Sequence, residues 1–251
     1  MLPLHDDNPT TLRPVVTIGL MAFCIVVFLY QASLSPLGDA RLTLAAGVVP
    51  ARLFGAGNPF DLLTLVTCQY LHGGFLHLGG NLLYLWIFGN NVEDALGHRR
   101  FFLFYTVCGV VASLVHAASD PASTVPLIGA SGAISGVLGA YLLLYPRARV
   151  LVWIGIFIVR LPAFIVLGLW FAFQVGAIVL GGGGSVAWGA HVGGFVAGLL
   201  LIIPMRRRGM TLWQPAQPRA PVVQRTRARS RVPVSGGTPP SPPPRRRGPW
   251  G

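Results

Sequence analysis

Six apolar runs punctuate the chain, at about 15–32, 77–95, 100–118, 131–145, 162–180 and 187–205. Stretches of roughly 20 mainly apolar residues match the thickness of a bilayer and read as spanning helices. The fourth run is short for a full span, and a short helix is tolerated where protein instead of lipid surrounds it. Between the first and second runs, residues 33–69 mix polar and apolar positions. That connection is too long for a simple turn and predicts partial helical structure at the membrane interface. Beyond Arg206 the apolar pattern stops, and residues 214–251 are mostly Pro, Arg, Ser and Gly, a composition expected to be disordered. The expected organisation is an N-terminal segment over 1–14, a membrane domain over 15–205 and a disordered Arg/Pro-rich tail over 206–251. The expected fold class is an all-α polytopic membrane protein with six transmembrane helices.

Composition strengthens this reading. Hydrophobic residues make up 53% of the 251 and charged residues only 10%, against about a quarter charged in soluble domains. Asp6 and Asp7 stand where a signal peptide needs positive charge, so the first run is expected to be a retained helix. The formal charge of +12 comes from nineteen arginines with no lysine, and eleven of them lie from Arg206 onward. That is a basic tail, suited to anionic lipid headgroups, and nucleic acid is disfavoured as a partner. Cys24, Cys68 and Cys108 are far apart, lack metal-ligand spacing and read as buried small hydrophobes. No metal or other cofactor is expected.

Arginine also orients the chain. The connections after the second and fourth runs hold Arg99, Arg100, Arg147, Arg149 and Arg160, and Arg206, Arg207 and Arg208 follow the sixth. The other side has only Arg41 and Arg52. Positive charge favours the cytoplasmic face, so both termini are expected there, with a bacterial inner membrane as the setting.

With that topology the second, fourth and sixth helices all start at the outer face. His77 and Asn81 fall at the start of the second, Ser131 opens the fourth, and His191 comes early in the sixth. Polar side chains at membrane depth generally line an interior or a wet cavity. Singly, each has an ordinary explanation: a serine in a Gly/Ala helix packs and bonds to its own backbone, and a histidine at a helix start is an interface residue. At a common depth they make a site. Serine becomes a nucleophile when a base takes its proton, and histidine is the usual base. Acyl transfer also needs donors for the oxyanion. His77 and Asn81, four residues apart, share a helix face, and the Ser131 N–H near a helix N-terminus adds a donor. Asp61 and Asp120 lie in outer connections, so the core holds no aspartate to orient His191. A Ser131–His191 dyad is the economical reading.

The segments "LHGGFLHLGGNLLYLWIFGNNVEDALG" from Leu71, "GASGAISG" from Gly129 and "AHVGGFVAG" from Ala190 resemble the rhomboid intramembrane serine proteases, in order and spacing. The resemblance implies a six-helix bundle with Ser131 as nucleophile and His191 as base, and with His77 and Asn81 stabilising the oxyanion. It implies that Gly129 lets substrate approach the serine, that Gly194 lets the fourth and sixth helices pack closely, and that His72 has a structural or hydration-related role. It also implies transmembrane proteins as substrates, cut where their helix is locally unwound. Two departures stand out. Leu62, Leu63 and Thr64 occupy the stretch where many relatives carry a Trp-Arg pair. Ser135 stands where some carry a tyrosine against the catalytic histidine, so something else must hold the His191 ring.

Two other function classes compete. A catalytically silent relative that binds transmembrane clients would typically lack the serine or the histidine, and both are present. A channel or transporter lined by His and Asn would need relay carboxylates, which the apolar core lacks. The glycine-rich connection 180–188 is expected to move as a lid above His191.

Overall fold

The computed structural model describes residues 1–55, 58–181 and 186–215. After a short strand, β1 (Leu2–Asp6), comes helix α1 (Val15–Ser33). The long connection carries α2 (Pro36–Ala46), α3 (Pro50–Leu53) and α4 (Asp61–Thr67), then a 3-10 turn over Cys68–Tyr70. Helices α5 (Phe75–Leu96), α6 (His98–Ser119) and α7 (Ser131–Leu144) follow. A hairpin of β2 (Arg149–Ile154) and β3 (Phe157–Pro162) leads into α8 (Ala163–Val179), and α9 (Trp188–Met205) is the last helix. Each apolar run of the sequence therefore contains a helix. By length and composition α1, α6 and α9 can cross a membrane, whereas α7 and α8 are apolar but shorter.

The small sheet departs from the all-α expectation. Its order is β1-β2-β3, antiparallel throughout. The β2–β3 stretch is apolar on both parities, which hides the alternation that marks a strand. Gly155, at φ +60, opens the two-residue turn, the position where a type II′ hairpin needs glycine. The N-terminal segment is not a separate unit, because β1 pairs along β2.

Acidic side chains fasten the end of the bundle remote from Ser131. Glu93, at the end of α5, accepts from the Val16 N–H, the Thr17 N–H and the Thr17 hydroxyl at 2.7–2.9 Å. It thereby caps the otherwise unbonded first turn of α1. Asp94 accepts from the Thr11 N–H at 2.6 Å and from Arg207 at 2.8 Å. Asp6 accepts from the Tyr141 hydroxyl of α7 and from the Asn91 side-chain amide of α5, both at 2.8 Å. Burial pushes the Asp6 carboxyl up to about 6, and the Tyr141 hydrogen bond only partly offsets that. A raised carboxylate value means that the folded state takes up the proton first, so the associated stability is full below the ordinary 3.8 and is lost as pH rises through about 6. Asp6→Asn keeps an acceptor without the charge. It is expected to flatten the stability profile in that window by on the order of 1–3 kcal/mol, read from thermal melts in detergent between the two pH values.

Residues 206–215, expected to belong to the disordered tail, are ordered against the bundle. Met210 and Leu212 pack against the core. The Trp213 and Gln214 N–H groups donate to the Leu143 and Leu144 carbonyls at 2.9 and 2.8 Å, closing the end of α7. Residues 216–251 lie outside the described residues.

Helices α7 and α9 meet backbone to backbone. A methyl added at Gly194 would fall on the Gly132 carbonyl oxygen, one at Gly198 on that of Gly136, and one at Gly139 on that of Phe195. The Gly/Ala-rich face of α7 thus places Ser131 in the middle of the bundle, with α5 and α6 on its other sides. Gly198→Val would wedge the two helices apart. An overpacking loss of at least about 1–3 kcal/mol is expected, seen as a lowered Tm.

Candidate active site

The N-terminus of α7 is held before the helix begins. Val48 and Leu127 exchange backbone hydrogen bonds at 3.0 and 2.8 Å, and the Gly129 N–H donates to the Cys68 carbonyl at 2.9 Å. Gly129 adopts φ +122, a conformation open to glycine at little cost. Ser131 then starts the helix. Its carbonyl accepts from the Ser135 hydroxyl at 2.6 Å, so Ser135 is satisfied along its own helix.

The Ser131 Oγ lies 2.9 Å from His191 Nε2. On the far side of the ring, His191 Nδ1 lies 2.8 Å from Oε1 of Gln174, on α8. With the amide oxygen as acceptor, Nδ1–H donates and Nε2 keeps a lone pair for the serine hydroxyl. The ring is flanked by Trp170, whose centroid is 5.9 Å away at 36°, and by Trp188 at 6.3 Å and 87°. These three side chains occupy the role left open by the absent tyrosine. None of them stood out as a site residue in the sequence, although Gln174 has a signal: it is the one strongly polar side chain in α8, "AFIVLGLWFAFQVGAIV".

Across the site, His77 Nε2 faces Gly129 so closely that a Cβ there would be 2.7 Å from it. His77 Nδ1 accepts from the Gly73 N–H at 3.4 Å, a long bond. That arrangement leaves the Nε2 proton directed at the Gly129–Ser131 turn. Asn81, one turn further along α5, is buried, and its side-chain nitrogen has no hydrogen-bond partner among the described residues. Both line the same cavity of about 740 Å³ as Ser131 and His191, with His116 and Trp170 also on its wall. An unbonded buried amide N–H₂ in the same cavity as the Ser131 hydroxyl is a donor free to meet an acceptor.

The remaining sequence expectations fall elsewhere. His72 is buried outside this cavity, with its ring 5.2 Å from that of His77. Its N–H donates to the Gln31 side chain at 3.0 Å, and Nδ1 lies 3.2 Å from the Tyr70 carbonyl. Burial first, then the neighbouring His77, pushes His72 down to about 4, so it is neutral. It ties α1 to the start of α5. Gly194 contributes helix packing, as described above. Leu62, Leu63 and Thr64 lie in α4, with both leucines exposed, and Asp61 pairs with Arg52 at 3.4 Å. Residues 182–185 of the glycine connection expected to act as a lid lie outside the described residues.

Comparison with known proteins shows the family. Residues 59–208 match the Rhomboid domain family. Over 194 residues the chain is 34% identical to Rhomboid protease GluP of Bacillus subtilis, covering 76% of this chain and 36% of that protein. It is 33% identical over 147 residues to Rhomboid protein 1, mitochondrial, of Saccharomyces cerevisiae, covering 55% and 40%. It is 38% identical over 96 residues to RHOMBOID-like protein 5 of Arabidopsis thaliana, covering 38% and 30%. In each case the match spans less than half of the relative's own length. The chain belongs to the rhomboid family and is an integral membrane protein.

Proposed function

We propose that this chain is an intramembrane serine protease that cleaves other membrane proteins in or near a transmembrane segment. The observation that carries the reading is the 2.9 Å contact from Ser131 Oγ to His191 Nε2, inside a cavity that also holds the unbonded Asn81 amide. His191 Nε2 takes the Ser131 proton as Oγ attacks the scissile carbonyl carbon. The carbonyl π electrons move to oxygen, where Asn81, His77 and the Ser131 N–H supply hydrogen bonds. Collapse of that intermediate returns the proton from Nε2 to the departing amine and leaves an acyl group on Ser131. Water, activated by the same nitrogen, hydrolyses the ester. The reading of a catalytically silent binder accounts for the apolar bundle but not for a serine and a histidine in hydrogen-bond contact.

In this proposal α5, α7 and α8 also cross the bilayer, giving six spans, and α7 is sheltered from lipid by its neighbours. The arginine distribution favours both termini in the cytoplasm, and in this proposal Ser131 lies below the outer face of a bacterial inner membrane. The basic tail meets anionic headgroups. Peptide bonds in an intact helix are shielded by their hydrogen bonds, so the substrate must unwind at the cut.

Reconstitution in liposomes tests this reading. A single-span substrate with Gly or Pro near the outer end of its helix is expected to be cut, while an all-Leu version resists. If neither is cleaved by folded protein, the protease assignment is wrong. In the same assay Asn81→Ala is expected to lower kcat about 10–1,000-fold, the range for one oxyanion donor among several. An unchanged kcat would remove Asn81 from the machinery.

A further inference from the structure

Gln174 is 4% exposed and sits in a helix with no other strongly polar side chain. Burying an amide is unfavourable unless it is bonded, and its oxygen is bonded to His191 at 2.8 Å. We propose that Gln174 is a positioning residue that fixes His191 as the Nδ1–H tautomer, so that Nε2 always faces Ser131 as a base. The inference rests on the protease reading and adds a third member to its dyad.

The alternative tautomer is disfavoured at the amide end of the ring and unproductive at the serine end, where Nε2–H would donate to the hydroxyl oxygen and could not take its proton. It would set a lone pair on Nδ1 against the amide oxygen. When His191 accepts the serine proton, the amide dipole already points its negative end at Nδ1–H and stabilises the imidazolium without a buried carboxylate. The other titratable groups facing the ring are His77 from α5 and His116 from α6. Among the described residues no carboxylate bonds to it. Trp170 and Trp188 restrict ring rotation, whereas Gln174 alone reads which nitrogen carries the proton.

The test combines nitrogen NMR of ¹⁵N-histidine-labelled protein with kinetics. Wild type should show the His191 Nδ1–H tautomer at neutral pH. Gln174→Leu should lose that bias and lower kcat about 10–1,000-fold with KM nearly constant, the pattern of an interaction used after binding. Gln174→Glu keeps an acceptor and should recover activity to within about tenfold of wild type. An Nε2–H tautomer in the wild type overturns the proposal by itself, as does a folded Gln174→Leu with wild-type kcat. If Gln174→Leu does not fold, the wild-type tautomer and the Glu rescue decide. Failure of a fluorophosphonate to label wild-type Ser131 would refute the protease reading instead, and the tautomer signal would still decide for or against Gln174.

An independent observation lies at the other end of the bundle. Val150 and Val152 of β2 are buried in the core. Residues two apart in a strand share a face, so Ile154 continues that face outward, paired with Phe157. Ile154 is 39% exposed, Phe157 65% and the turn residue Ile156 87%. The face lying on the helix ends thus runs past the bundle as an uncovered apolar surface. The Ala163 N–H donates to the Ala148 carbonyl at 2.8 Å, which joins the hairpin base to the start of α8. Exposed Arg147, Arg149 and Arg160 surround that base, with Arg160 paired to Asp7 at 3.2 Å. We infer that the hairpin tip docks into the headgroup–acyl boundary of the bilayer holding the bundle. Ile156 and Phe157 enter the acyl region, and the arginines sit at anionic headgroups. The apolar surface continuous with the bundle and the basic base both fit that one partner.

A nitroxide on Ile156→Cys reports the tip's surroundings in anionic liposomes. The three native cysteines are at most 1% exposed, and protein lacking the new cysteine gives the labelling background. Collision with oxygen should exceed collision with a water-soluble nickel complex. Free access for nickel overturns the inference, and so does dipolar broadening at high lipid-to-protein ratio, which would show a second copy covering the tip.

Discussion

Ser131→Ala and His191→Ala are each expected to abolish cleavage of a transmembrane substrate, and the double variant to be no worse than either. The two side chains share one hydrogen bond of 2.9 Å and act on one proton. Removing the nucleophile leaves nothing to form the acyl bond, and removing the base leaves a hydroxyl too weakly nucleophilic to attack. Losses in groups that act as a unit are strongly non-additive. Background hydrolysis should therefore be the same in all three proteins. Multiplicative losses would mean that the serine and histidine contribute separately, which the geometry does not allow. Ser131→Ala removes little buried surface and its thermal melt should stay close to wild type, whereas His191→Ala leaves the buried Gln174 amide without its partner and should lower Tm modestly.

Gly129→Val should have the next largest effect. Gly129 has φ +122, where a β-branched residue is strained. The new Cβ would also lie 2.7 Å from His77 Nε2 and 2.8 Å from its Cε1. The ring cannot stay and the turn that leads into Ser131 cannot keep its shape. The displaced His77 alone corresponds to about 10²–10³ in kcat if it is an oxyanion donor, and misplacement of Ser131 adds to that. Steady-state kinetics should show the loss mainly in kcat. Wild-type turnover in a folded Gly129→Val protein would show that neither the turn nor the position of His77 matters to the reaction.

The helices of the bundle were legible from the apolar runs because each run is sharply bounded. The clustering of His77, Asn81, Ser131 and His191 followed from helix direction: α5, α7 and α9 start at the same end, so residues early in each share one level. Gln174 escaped because it comes late in α8, which runs the opposite way. Its depth therefore matches the site only after the helix rotation and length are known. The β2–β3 hairpin was hidden by apolar residues on both strand parities, and β1 by its brevity. The capping of α1 by Glu93 joins positions 76 and 77 residues apart, a pairing that local pattern does not encode. The close approach of α7 and α9 was legible in kind, from small residues, but the partners Gly132–Gly194 and Gly136–Gly198 required the helices to be placed.

The most direct measurement of the central claim is covalent labelling of purified wild-type protein by a fluorophosphonate, followed by peptide mapping. An activated serine should react stoichiometrically, with the adduct on the α7 peptide at Ser131, and His191→Ala should abolish it. Absence of labelling in folded wild-type protein, or an adduct on any other serine, would contradict the account.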